Sequence, residues 1–201
     1  SAYLNIFMEA AAAPGETVLL HAGASGVGTA GIQLCQSFGN PSFVTAGSDD
    51  KIERCIALGA SGGSNRHSGS FTEHVEEWTG GKGFDVILDP VGAAYLEDNL
   101  ASLNLDGRLV LIGLMGGIEA DLKLARMLMK RLRIIGSTLR ARSVPAKTAV
   151  MEALQEKVWP LIESGQIKPI VEEIIPIAEA QRAHELIASD STFGKVVLQI
   201  D

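Results

Sequence analysis

The chain has 201 residues, a formal net charge of −7, 46% hydrophobic residues and 20% charged residues. That composition supports a packed core and excludes wholesale disorder, and the acidic balance implies no general nucleic-acid surface. No run of about 18 uninterrupted apolar residues occurs, so no membrane span is expected; Glu9 and the lack of a basic leader argue against a signal peptide.

Residues 2 to 12, rich in alanine with Leu4, Ile6, Phe7 and Met8, read as a helix stopped by Pro14-Gly15. Residues 17 to 22 are an apolar run that reads as a buried strand. Gly23-Ala24-Ser25-Gly26-Val27-Gly28 then forms a glycine-rich turn, after which Val27, Gly31, Leu34, Cys35 and Phe38 fall on one helix face. Strand, glycine turn and helix in that order form the first half of a dinucleotide-binding βαβ unit. A turn without side chains lets backbone N–H groups approach a pyrophosphate, and the positive end of the helix faces it. The pattern departs from G-x-G-x-x-G: with Gly23 and Gly28 as its ends, Ser25 takes the middle position and Gly26 follows.

Gly39-Asn40-Pro41 turns the chain into a second strand, residues 42 to 46. The end of this strand selects the cofactor, because NAD-preferring units place an acid there for the ribose 2′-hydroxyl. Here Gly47-Ser48 holds that place, with Lys51 and Arg54 on the next turn. A neutral tip followed by cations suits a 2′-phosphate and hence NADPH. Asp49-Asp50 come late for that acid and read as cap and first-turn acids of a helix over residues 50 to 58; Arg54 reads as solvated. Arg66, after a short strand near residues 63 to 65, is placed to reach the adenosine phosphate.

Residues 71 to 79 read as an amphipathic helix and residues 84 to 89 as the fourth strand, followed by Pro90-Val91-Gly92. Ligands in open α/β sheets bind beyond the carboxyl ends of the strands, so Val91 and Gly92 are candidates for the cofactor wall, and Asp89 reads as a loop-capping acid. A helix over residues 94 to 103, a turn at Asp106-Gly107 and a strand over residues 108 to 113 come next. Leu114-Met115-Gly116-Gly117 leaves that strand on the nicotinamide side. A helix over residues 121 to 131 and a sixth, edge strand over residues 133 to 139 complete a doubly wound parallel sheet in a three-layer α/β/α, Rossmann arrangement. The apolar edge invites a homodimer. Residues 147 to 164 read as a long helix with Pro160 near its end, residues 168 to 176 as extended, residues 177 to 189 as helix and residues 194 to 200 as a last strand. Cys35 and Cys55 read as small core residues in a reducing cytoplasm. His21, His67, His74 and His184 lack metal-ligand spacing, so no metal site is expected.

His21 to Gly28, Thr45-Ala-Gly-Ser48 with Lys51, Asp89-Pro-Val-Gly92, Gly113-Leu-Met-Gly-Gly117 and Phe193-Gly-Lys-Val-Val-Leu198 together resemble the zinc-independent, zeta-crystallin-like quinone oxidoreductase group of the medium-chain dehydrogenases/reductases. The resemblance covers the whole chain. It implies an NADPH-dependent enzyme that passes hydride to a quinone or another α,β-unsaturated carbonyl. By motif, Ser25, Gly26 and Val27 line the pyrophosphate; Ala46, Gly47, Ser48 and Lys51 hold the 2′-phosphate; Val91, Gly113, Leu114 and Met115 border the nicotinamide. Arg66 stands where the group often has tyrosine. The resemblance also implies a preceding catalytic domain. Residues 1–164 are then the dinucleotide-binding domain, and residues 165–201 are a segment that packs on that domain. The chain alone is expected to bind cofactor with little turnover, and no catalytic residue is assigned within it. Two alternatives stay open: an enoyl reductase module of a polyketide or fatty-acid synthase, and a structural or RNA-binding use of the fold.

Overall fold

The computed structural model describes residues 1–200. It opens on a wide helical turn, Leu4–Glu9, rather than a helix to residue 12. The turn closes early because the Ala10 and Ala12 N–H groups donate back to Asn5 and Ile6, with Ala11 left-handed between them. Chain order then runs β1 (Val18–Leu20), α1 (Gly26–Phe38), β2 (Ser42–Ala46), α2 (Asp49–Ala57), β3 (Gly62–Asn65), α3 (Val75–Thr79), β4 (Phe84–Asp89), α4 (Leu96–Ser102), β5 (Leu103–Leu111), α5 (Leu124–Lys130), β6 (Arg133–Gly136), α6 (Val144–Lys157), α7 (Trp159–Glu163), β7 (Val171–Pro176), α8 (Ala180–Ala188) and β8 (Lys195–Gln199).

The first six strands form one parallel sheet in the order β3-β2-β1-β4-β5-β6. The chain starts at the centre, winds outward through β3, then returns to β4 on the other side of β1. The order reverses between β1 and β4, which leaves a crevice beyond the carboxyl ends of the strands. Alternation along the strands feeds two cores. Val18, Leu20, Val44, Val86 and Leu88 pack under α1 and α6, whereas Leu19, Phe43, Ile87 and Leu109 pack under α4 and α5. β1 is buried on both faces, as expected of a central strand in a three-layer α/β/α domain.

Further sequence boundaries move. β6 ends at Gly136, not at residue 139, because β5 stops at Leu111 and the last rung is Leu111↔Gly136. Asp106-Gly107 does not precede β5 but lies within it; Asp106 takes φ +59 there and accepts from Arg131 at 2.8 Å and 2.7 Å. The long helix begins at Val144, capped by Ser143, and divides before Pro160, whose missing N–H interrupts the ladder.

Beyond Gly165 the chain returns to the first core. Ile167 and Phe193 join that core, Ile175 and Ala183 are buried within the returning segment's own elements, and Gln33 of α1 exchanges two hydrogen bonds with the Lys168 backbone. β7 and β8 pair as a separate parallel ribbon.

Candidate functional site

The glycine turn is held by contacts that leave no room for side chains. A Cβ at Gly28 would lie 2.4 Å from the Gly23 carbonyl oxygen, and one at Gly23 would lie 2.6 Å from Val44 Cβ. Ser25 caps α1, its hydroxyl accepting from the Gly28 N–H at 3.0 Å. Gly26 and Val27 are the first helical residues, so their N–H groups have no intrahelical acceptor. An anion fits such a helix start.

From this turn a groove of about 570 Å3 runs past the ends of β1 and β2. Ser25, Gly26, Ala46, Gly47, Lys51, Arg66 and Met115 line it together. Val27 instead packs half-buried against the core. Ser48 is the N-cap of α2 and accepts from the Lys51 N–H at 3.3 Å, so Asp49 and Asp50 are first-turn acids. Val91, Gly113 and Leu114 lie in two loops zipped side by side: Met115 N–H donates to Pro90 O at 3.2 Å and Gly116 N–H to Val91 O at 2.7 Å. Met115 is exposed.

Lys51 is buried although it is a lysine. Its ammonium donates to the Asp190 carboxylate at 3.0 Å and to the Asp190 carbonyl. The Arg66 guanidinium reaches the other carboxylate oxygen at 2.7 Å. The Lys51 and Arg66 hydrogen bonds hold the Asp190 carboxyl below its ordinary range despite an opposing contribution from burial. Arg54, expected to be solvated, donates to Glu172 at 2.7 Å and lies 4.3 Å over the Phe193 ring, tethering α2 to the returning segment.

A second cavity of about 270 Å3 adjoins the groove at Arg66, with Thr45, Phe71 and Tyr95 in its wall. Beneath it a buried chain of polar groups fixes the loop after β4. His21 contacts Thr45 at 3.0 Å and Asn99 Oδ1 at 2.7 Å, and the Asn99 amide donates to Asp89 at 3.0 Å. Asp89 in turn accepts from the Val91 N–H at 2.6 Å and from the Gly92 N–H at 3.2 Å. It is the loop-capping acid its position implied. Burial pushes His21 down to about 4 and raises Asp89.

Asp190, Thr192, Gly194 and Lys195 also line the groove and were not anticipated. The Gly194 N–H donates to Ala24 O at 2.7 Å, and the Lys195 side chain lies across Gly26. Phe193-Gly-Lys195 stood out in the sequence as the entry to a strand and as part of a family motif, but not as part of the cofactor groove. Asp190, at φ +51 just after α8, is a helix-ending position, and its partners lie 124 and 139 residues away.

Sheet order, glycine turn and a groove at the switch point define a Rossmann nucleotide-binding domain. The chain belongs to the family described as zinc-binding dehydrogenase, whose model matches residues 26–156, within the medium-chain dehydrogenases/reductases, and quinone oxidoreductases are among its relatives. It is 30% identical to the quinone oxidoreductase of Rattus norvegicus over 194 residues, 96% of this chain and 57% of that protein. It is 32% identical over 206 residues to the lovastatin diketide synthase lovF of Aspergillus terreus, covering 100% of this chain and 8% of that one. Among solved structures it is similar to Escherichia coli quinone oxidoreductase complexed with NADPH, with 30% identity, a TM-score of 0.86, and 99% and 61% of the two chains covered. It is also similar to an NAD-dependent alcohol dehydrogenase, with 34% identity, a TM-score of 0.85, and 100% and 55% covered. The chain thus spans little more than half the length of its quinone oxidoreductase relatives. Among the described residues no group of three or more His, Cys, Asp or Glu side chains is arranged to hold a metal ion, and no helix is long and apolar enough to cross a membrane.

Proposed function

We propose that this chain is the NADPH-binding part of an oxidoreductase that reduces a quinone or an α,β-unsaturated carbonyl. The carrying observation is the convergence of the buried Lys51 ammonium and the Arg66 guanidinium on one carboxylate beside the glycine turn. Two cations at the end of β2 fit a 2′-phosphate, and the Gly26 and Val27 N–H groups of α1, which have no intrahelical acceptor, fit a pyrophosphate. The nicotinamide, when bound, supplies the hydride. The protein's part is to bind and orient. Ser25, Gly26 and Val27 carry the pyrophosphate; Ala46, Gly47, Ser48, Lys51 and Arg66 carry the adenosine phosphate end. Val91, Gly113, Leu114 and Met115 form the nicotinamide wall, which Asp89 and Asn99 hold in place. Residues 165–201 dock on a catalytic domain that supplies the substrate wall, so this chain alone binds cofactor with little turnover. The outer edge of β6 is the proposed homodimer contact.

Calorimetric titration with NADPH and NADH tests the reading. It stands if NADPH binds and Lys51→Ala weakens it, and falls if neither nucleotide binds.

A second reading, an enoyl reductase module of a polyketide synthase, is favoured by the match to lovF along the whole chain. Full-length enzyme that reduces a carrier-bound enoyl thioester but no free quinone would select it.

A further inference from the structure

The cation pair assigned above to a 2′-phosphate already carries an anion of the chain's own. Asp190 Oδ1 meets Lys51 Nζ at 3.0 Å and Oδ2 meets Arg66 at 2.7 Å, so one carboxylate bridges both cations. The Lys51 side chain is 7% exposed and its ammonium also binds the Asp190 carbonyl. Asp190 reaches this place because it follows α8 in a left-handed conformation, φ +51. Its Oδ2 lies 3.0 Å from the point where a Cβ of residue 47 would stand. The end of β2 is thus not as neutral as Gly47-Ser48 implied: a carboxylate arrives there from the far end of the chain.

The two cofactors meet this carboxylate differently. A ribose 2′-hydroxyl donates to it and leaves the Lys51 and Arg66 contacts intact. A 2′-phosphate brings about two negative charges to the same cations, and like charges in contact repel. Phosphate must therefore displace the carboxylate or share the cations at a cost. Displacement also disturbs residues 190–195, whose Gly194 is hydrogen-bonded to the glycine turn.

We propose that Asp190 is a cofactor-selectivity residue, an internal competitor of the 2′-phosphate for Lys51 and Arg66 that shifts the balance from NADPH toward NADH. The inference rests on the groove being a nicotinamide-dinucleotide site.

The test titrates the full 201-residue chain, Asp190→Asn and Asp190→Gly with NADPH, NADH, 2′,5′-ADP and 5′-AMP. Asparagine keeps the shape and removes the charge; glycine keeps the left-handed backbone. Both variants are expected to bind NADPH and 2′,5′-ADP about tenfold or more tightly, with NADH and 5′-AMP unchanged or weaker. In a Lys51→Ala background the gain from Asp190→Asn shrinks. Binding of both nucleotides with an unchanged NADPH-to-NADH ratio overturns the role of Asp190 and leaves the dinucleotide site standing. Absence of binding by every protein to every probe overturns the site itself, and this inference with it.

Discussion

Lys51 has little water around its side chain, so its charge must be met by protein or ligand anions. On the proposed NADPH reading, removing it leaves Arg66 to meet the 2′-phosphate. Lys51→Ala is expected to weaken NADPH binding about tenfold or more, the equivalent of one charge-assisted hydrogen bond of about 1.5–3 kcal/mol, and NADH much less. Calorimetry reads both. His21 makes a second prediction at this scale. Burial holds its pKa at about 4, against 6.5 in the unfolded chain. The unfolded state therefore takes up the proton first as pH falls. Stability is full above pH 6.5 and declines toward pH 4 by up to about 1.4 kcal/mol per pH unit. Asp89, raised by burial, acts in the opposite sense near the lower end of that window. Urea unfolding at several pH values between about 7.5 and 5 shows the slope, and His21→Gln should flatten it; an undiminished slope would place its origin elsewhere.

At the scale of elements, the glycine turn tolerates no side chain at Gly28. A Cβ at Gly28 would press on the Gly23 carbonyl at 2.4 Å, and backbone cannot swing aside as a side chain can. Gly28→Ala is expected to cost about 1–3 kcal/mol of stability and to abolish dinucleotide binding. Denaturant unfolding beside a nucleotide titration checks both; full stability with normal binding would contradict the close packing. Most elements were legible because their signals are local. Residues 42–46 and 84–89 are apolar runs closed by turns, and both appear with those bounds as β2 and β4. The boundaries that moved depend on neighbours. β6 is short because β5 leaves the sheet at Leu111, and no pattern within residues 133–139 records that.

Across the whole molecule, apolar surface remains uncovered at several places. Leu128 and Met129 on α5 are 78% and 74% exposed, and Ile174 on β7 is 59% exposed. Surfaces of this kind mark association sites. Static light scattering over a wide concentration range should show self-association of this chain. A monomer at every concentration would remove the proposed β6 dimer. Steady-state assays with NADPH and a simple quinone should show little turnover at concentrations where calorimetry shows binding.

Residue order alone determined the βαβ framework and the glycine turn, because propensity, period and glycine spacing act over a few neighbouring residues. It also carried the family likeness, since those motifs are contiguous. Only the tertiary structure decided what faces the cations. Lys51 is buried by the returning segment, Arg54 is tethered to Glu172, and Asp190 is delivered across 139 residues to the end of β2. Charge pairing depends on distance in space, and a linear pattern does not encode which distant loop completes a pocket. That is why Lys51 stood out in the sequence as a cation at the end of β2, while the carboxylate bound to it did not.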